Sequence, residues 1–260
     1  MKKVIKKIKK GWNILRHKGV RAFIEILLGQ TKVVFRSIYL SINKKSCARR
    51  LSQFSSEKPE EVFDFISKKF FNAFAPIQIK EEFLQLLDIF QKVKPKVIME
   101  IGTANGGTLF CFSKLAVDDA TIISIDLPEG KFGGGYPDWK MPLYRAFAKN
   151  GQDLHLLRED SHLPETLEKV KKILAGRQVD FLFIDGDHSY EGVKKDFEMY
   201  NSLVRNGGII TFHDVAIHPP ETECFVHNFW EEIKLDYQNR ELINNKNQGW
   251  AGIGVLFNQK

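Results

Sequence analysis

The chain has 260 residues, 43% of them apolar and 27% charged, an ordinary globular balance that excludes a disordered or fibrous protein. Its cysteines, Cys47, Cys111 and Cys224, share no short spacing, which argues against a disulfide scaffold and a thiolate zinc motif and fits a reducing compartment. The net charge of +7 is unevenly divided: residues 1–50 hold 15 Lys/Arg against one acid, Glu25, and the other 210 residues hold 24 against 31.

At about 100° per residue, Val4, Ile5, Ile8, Trp12 and Leu15 fall on one helical face. Lys2, Lys3, Lys6, Lys7, Lys9 and Lys10 fall opposite them. A second apolar-rich stretch runs from Phe23 to Leu40. No run approaches the roughly 18–20 apolar residues of a membrane span, and Lys18, Arg21, Glu25 and Lys32 interrupt any signal-peptide core. The chain is therefore expected to be cytoplasmic. Residues 1–50 read as a basic amphipathic segment that can lie in an anionic lipid interface, as a peripheral element at the inner membrane surface. The plainer reading is a solvated helix packing on the main domain or on a partner chain, as in a homo-oligomer. Nucleic acid ranks lower, because no recognisable binding module is present. Residues 51–79 read as a linker and helical transition: Ser52, Ser55, Ser56 and Pro59 suggest a linker, while Phe63, Ile66, Phe70 and Phe74 recur at helical spacing.

From residue 80 to 260 the apolar period keeps switching. Phe83, Leu86, Leu87 and Phe90 predict a helix ending near Pro95, and Val97–Ile101 a buried strand stopped by Gly102. Residues 103–116 read as turn and helix, 121–126 as a second strand and 154–157 as a third. Leu163, Leu167, Val170 and Leu174 mark a helix with Pro164 in its first turn. Residues 179–184 are a fourth strand. Val193, Phe197, Tyr200 and Val204 predict a helix, 209–212 a fifth strand, 225–233 a last helix, and 251–257 a strand-like end. Strands alternating with helices predict an α/β fold whose mostly parallel sheet is covered on both faces.

In such sheets ligands sit beyond the carboxyl ends of the strands, where the strand order reverses. The residues there are Glu100 and Gly102, Asp126, Asp160-Ser161, Asp185-Gly186-Asp187-His188, and His213-Asp214. An acid at every strand end predicts one shared crevice. The loop from Glu100 to Gly107 places glycines where backbone approaches a ligand at a helix N-terminus. It lacks the spacing of the dinucleotide fingerprint, and an acid two residues before the first glycine suits a cationic or ammonium-bearing ligand. Asp126 is placed to grip ribose hydroxyls. The glycine-rich stretch 128–139 reads as a lid, with Tyr136 and Trp139 as stacking surface. His188 and His213 are placed to take a proton, His188 alternatively orienting Asp185 or Asp214. His155 reads as a core or sheet residue, His162 as a loop residue, and His17, His218 and His227 carry no motif.

Glu-x-Gly-x-x-x-Gly-Gly at 100–107, Asp126, Asp160-Ser161 and Phe-Ile-Asp-Gly-Asp-His-Ser-Tyr-Glu-Gly at 183–192 resemble the class I S-adenosylmethionine-dependent methyltransferases. With Gly-Gly-x-x-x-x-His-Asp at 207–214, the last stretch resembles a bacterial branch among sugar and natural-product O-methyltransferases. The resemblance covers residues 80–260. It implies a Rossmann-like, doubly wound, mostly parallel seven-stranded sheet, with the basic N-terminal extension outside it. It implies that Glu100, Gly102, Thr103 and Gly106 hold the methionine part of the cofactor, Asp126 and Leu127 the ribose, Asp160 and Ser161 the adenine edge, with Asp185 adjoining. In metal-dependent relatives a carboxylate ending the fourth strand and an Asp-Asn pair ending the fifth bind a divalent cation. Asp185 and the pair His213-Asp214 stand at those positions. The histidine shifts preference from magnesium toward manganese, iron or zinc. The implied activity is methylation of a hydroxyl on a sugar, nucleotide-sugar, lipid-linked glycan or related metabolite, with Asp185, His188 and His213 as the catalytic group. A nicotinamide oxidoreductase and a membrane-docked adaptor retaining a cofactor pocket are the competing readings.

Overall fold

The computed structural model describes residues 31–130, 132 and 135–259, so the amphipathic pattern of residues 4–15 and His17 lie outside the described residues. The chain divides into two compact units, Met1–Lys44 and Lys45–Lys260. In the first, residues 31–42 form helix α1, on which Val33, Val34, Ile38 and Ile42 are exposed. No helix among the described residues is long and apolar enough to cross a membrane.

The second unit is built on a seven-stranded sheet. Helices α2 (Lys44–Gln53), α3 (Pro59–Lys68) and α4 (Lys80–Val93) lead into β1 (Val97–Ile101). Then follow α5 (Gly107–Leu115), β2 (Thr121–Ile125), α6 (Met141–Arg145), β3 (Asp153–Leu157), α7 (Pro164–Leu174) and β4 (Val179–Ile184). The chain closes with α8 (Tyr190–Tyr200), β5 (Val204–His213), α9 (Val226–Ile233), β6 (Gln238–Leu242) and β7 (Ile253–Asn258). The order across the sheet is β3-β2-β1-β4-β5-β7-β6, with the first five strands parallel and β7 antiparallel to both neighbours. This is the doubly wound arrangement, and its order reverses between β1 and β4.

The central strands are buried because side chains of both parities are apolar. Met99, Ile101, Leu182, Ile184, Ile210 and Phe212 face Val170, Leu174, Val193, Phe197, Phe229 and Trp230 of α7, α8 and α9. On the other face Phe181 and Phe183 meet Phe112 of α5, which also packs on Phe83 and Phe90 of α4. Helices thus cover both faces.

Within residues 51–79, Val62, Phe63, Ile66, Phe70 and Phe74 are buried, and Phe65 stacks on Phe54 at 4.0 Å and on Phe110 at 5.7 Å. The serine signal belongs to a helix start, since Ser56 Oγ accepts from the Lys58 amide at 3.1 Å and donates to Glu61 at 2.9 Å. Val204 opens β5 rather than closing α8, because it pairs with Val179 in the parallel ladder. His155 sits on the edge strand β3, part-exposed, with Nε2 2.7 Å from Asp153. It is a sheet residue but not a core one. Strand β6, Gln-Asn-Arg-Glu-Leu, has no apolar run and is held by pairing with β7.

Candidate active site

Strand register brings the expected residues to one edge. Ile101 stands opposite both Ile125 and Ile184, and Ile184 opposite Phe212. Gly102, Asp126, Asp185 and His213 therefore leave the sheet at one level. The Gly102 amide donates to the Ile125 carbonyl at 2.8 Å and the Asp185 amide to the Ile101 carbonyl at 2.8 Å, prolonging the ladder past the strands. Gly102 has φ +94°, and a Cβ there would overlap the Asp185 carbonyl. Only glycine allows β1 and β4 to diverge so tightly.

Beyond this edge lies a cavity of about 400 Å³. Gly102, Ala104, Asp126, Leu127, Asp160 and Ser161 line one half; Asp185, His188, His213, Asp214 and His218 line the other. Ile77, Phe132 and Trp250 complete the wall.

In the first half, carboxylates are held by backbone. Asp126 accepts from the Gly135 amide at 3.0 Å, and burial raises its carboxyl to about 6 against the opposing amides of Gly135, Thr103, Tyr136 and Ala104. Asp160 accepts from the His162 amide at 2.8 Å, and Ser161 donates to buried Asp196 at 2.6 Å.

The 183–192 stretch folds as a strand end, a turn and a capped helix. Asp187 accepts from the amide and hydroxyl of Ser189, and Ser189 Oγ caps α8 by accepting from Gly192 at 3.1 Å. A Cβ on Gly192 would overlap the Asp187 carboxylate. This turn sets His188 between two carboxylates, Nε2 3.4 Å from Asp185 and Nδ1 3.0 Å from Asp214. His213 Nδ1 lies 3.1 Å from Asp185 and 3.3 Å from Asp214, and His218 Nε2 lies 3.2 Å from Asp214. Burial disfavours each charged ring, yet the adjoining carboxylates raise His188 to about 12, His213 to about 10 and His218 to about 9. The same pairing outweighs burial at Asp185 and Asp214 and holds both below the usual carboxylate range. Burial also works to raise the Cys224 thiol, but hydrogen bonds with His188 and His218 outweigh it and keep it below its ordinary value.

Comparison with known proteins bears on what this edge is. A family profile described as a methyltransferase domain matches residues 99–215, the span from β1 through the end of β5. Over residues 99–215 the chain is thus similar to methyltransferase domains in sequence as well as in fold. Among solved structures, the O-methyltransferase TomG of Streptomyces achromogenes is similar in fold, with a TM-score of 0.54 at 15% identity over 80% of this chain and 92% of that one. An O-methyltransferase fold from Klebsiella pneumoniae gives 0.52 at 16% identity over 80% and 92%. An uncharacterised protein of Sinorhizobium fredii is 29% identical over 168 residues, 64% of this chain and 17% of its own length. One from Acanthamoeba polyphaga mimivirus is 53% identical over 36 residues, 14% of this chain and 16% of its own. The chain thus spans less than a fifth of the curated relatives it matches.

Within residues 99–215, not every expected residue reaches the cavity. Glu100 is fully buried beneath Gly102; its carboxylate accepts from Thr108 and, at 3.3 Å, from Ser124. Burial raises it to about 8. Thr103 is buried on Ser124, and Gly106 lies under the rings of Tyr144 and Phe147. A Cβ on Gly107 would meet the 74–76 backbone, so this glycine pair serves helix packing. Tyr136 is also buried, against Tyr144 at 4.3 Å, and neither it nor Trp139 lines the cavity. Of the lid stretch, Lys131, Gly133 and Gly134 lie outside the described residues.

Other residues join the site without a sequence motif. Gln78 donates to Asp185 at 2.9 Å from the segment before α4. Phe132 stacks on His188 at 4.9 Å. Trp250 is placed by its neighbours: Glu82 of α4 accepts from the amides of Asn244 and Gly252 and from Gln248, and Asp214 accepts from the Ala251 amide at 3.1 Å. His218 and Cys224 share the β5–α9 connection. No periodicity marks them; a polar residue soon after a strand-end motif is the one sign available.

Proposed function

We propose that this domain transfers the methyl group of S-adenosylmethionine to a hydroxyl. The observation that carries the reading is the gathering of Asp126, Asp160, Asp185 and Asp214 around one cavity of about 400 Å³ at the switch between β1 and β4. The residues fit that donor. Asp126 offers its remaining acceptor capacity to ribose hydroxyls, with Leu127 against the sugar. Asp160 and Ser161 face the adenine edge, and the Gly102 turn admits the methionine end. Glu100 acts from below, through Thr108, Ser124 and the loop they hold.

Methyl transfer to oxygen needs alignment, exclusion of water and removal of one proton. Ile77, Phe132 and Trp250 form an apolar wall around the acceptor end. Asp185 and His213 are the proton-handling pair, with His188 bonded to both carboxylates and orienting them. Asp185, His213 and Asp214 offer a donor set whose ligand atoms lie within 4.8 Å of one another, which fits a divalent cation. Bound there, a cation would lower the pKa of the acceptor hydroxyl and engage the carboxylates that otherwise keep the imidazoles protonated.

The acceptor class, a sugar, nucleotide-sugar, lipid-linked glycan or related metabolite, is supported by the 183–192 and 207–214 patterns and by likeness to TomG, an O-methyltransferase of tomaymycin synthesis. The 15 Lys/Arg of residues 1–50 and the exposed Val33, Val34, Ile38 and Ile42 support a cytoplasmic enzyme resting on an anionic membrane surface. Sedimentation with anionic liposomes tests this: equal binding by the full chain and by residues 45–260 overturns it. For the reaction, calorimetry with S-adenosylmethionine and with NAD, followed by transfer of labelled methyl to fractionated glycans and metabolites, is the direct test. Binding of NAD alone overturns the proposal. Full activity in EDTA removes the cation from it.

A further inference from the structure

The cavity's acidic half continues beyond the residues assigned to methyl transfer. Asp214 Oδ2 faces His188 Nδ1 at 3.0 Å, its Oδ1 faces His218 Nε2 at 3.2 Å, and Cys224 hydrogen-bonds with both rings. Ligand atoms of His188, Asp214 and Cys224 all lie within 4.8 Å of one another. A second observation points to a ligand. The His218 side chain is only 8% exposed, and its buried Nε2, although 3.2 Å from Asp214 Oδ1, makes no well-directed hydrogen bond there. A buried imidazole nitrogen left open is costly unless something coordinates it.

The backbone holds these groups together. Asp214 has φ +64°, turning β5 abruptly into the 215–225 connection. The Phe225 amide donates to the His188 carbonyl at 2.8 Å, which ties Cys224 beside the β4–α8 turn. Cys47 and Cys111 are buried elsewhere, in α2 and α5.

We propose that His188 Nδ1, His218 Nε2, Asp214 and Cys224 Sγ form a zinc site beside the methyl-transfer cavity. Four donors suit the tetrahedral preference of zinc. A thiolate, a carboxylate and two neutral imidazoles neutralise a dication, the thiol proton and one proton from each charged imidazole leaving to solvent. Sulfur and imidazole disfavour magnesium and calcium, which select oxygen. The ion would staple the 215–225 connection to the end of β4, and with Nδ1 engaged, His188 Nε2 stays directed at Asp185. Asp214 is common to this set and the oxygen-rich one, but Asp185 and His213 belong only to the latter. The inference does not depend on methyl transfer.

The test uses the full chain, stripped with EDTA and titrated with cobalt(II), then with zinc. One equivalent of cobalt should give the visible bands of a tetrahedral ion and the near-ultraviolet absorption of a cobalt–thiolate bond, both lost on adding one equivalent of zinc. Cys224→Ser should abolish the near-ultraviolet absorption and weaken zinc binding by about 100-fold, while Cys47→Ser keeps both. Zinc X-ray absorption on the unaltered chain should show one sulfur at about 2.3 Å and nitrogen at about 2.0–2.1 Å, a result independent of whether variants fold. Absence of the thiolate band, its persistence in Cys224→Ser, or a zinc shell without sulfur overturns the proposal.

Discussion

The two halves of the cavity hold their carboxylates by different means. Beyond β1, β2 and β3, Asp126 and Asp160 rest on backbone amides, which are neutral and immobile. Beyond β4 and β5, Asp185 and Asp214 rest on the rings of His188, His213 and His218, which can gain or lose a proton. An amide-held carboxylate is a fixed acceptor, suited to gripping hydroxyl and amine donors of a ligand that must not move. An imidazole-held carboxylate can exchange its partner for a proton or a cation. On the proposed function, binding and chemistry are divided across the switch point, and that division can be tested.

The largest effect should come from the charged half. Asp185→Ala should lower the methyl-transfer rate by about 10²–10⁴-fold while changing S-adenosylmethionine affinity by only a few fold, read by steady-state kinetics and calorimetry. Asp126→Ala should do the reverse, weakening cofactor binding by roughly 10–100-fold through loss of charge-assisted hydrogen bonds. Loss of both properties in either variant would erase the distinction. The hinge between the halves is Gly102, where alanine must overlap the Asp185 carbonyl at positive φ. Gly102→Ala should cost about 3–5 kcal/mol in denaturant unfolding, and a cost under 1 kcal/mol would show that β1 and β4 can part.

The smallest effect concerns Glu100, beneath the cavity. Its folded-state carboxyl is raised to about 8 from an ordinary 4.5, so the folded protein holds a proton there that the unfolded chain releases. That contribution is fully present below pH 4.5 and is lost as pH rises through 8, by up to about 1.4 kcal/mol per pH unit. Glu100→Gln, a neutral mimic of the protonated acid, should therefore lose less stability than the parent between pH 5 and 8. Parallel curves from thermal melts across that range would mean that Glu100 is charged in the fold.

The strand ends were readable because a buried parallel strand is a short apolar run, and the residue that stops it is a polar one at a ligand edge. By this logic Asp126, Asp160, Asp185, His213 and Asp214 could be placed before any coordinates. Glu100 obeyed the same pattern yet faces inward, because it lies within β1 rather than after it, where Thr108 of α5 and Ser124 of β2 absorb its carboxylate. Strand β6 escaped notice because an edge strand held by pairing with β7 needs no apolar run.

The chain's own residues therefore determined the α/β class, the switch-point edge and the acids along it, since these follow from local periodicity and from where each strand stops. Only the tertiary structure decided which side chains share the cavity. Gln78, Phe132, His218, Cys224 and Trp250 come from segments with no common period, brought together by contacts such as Glu82 with the amides of Asn244 and Gly252. Such meetings depend on long-range packing and hydrogen bonding, which leave no periodic trace in the chain.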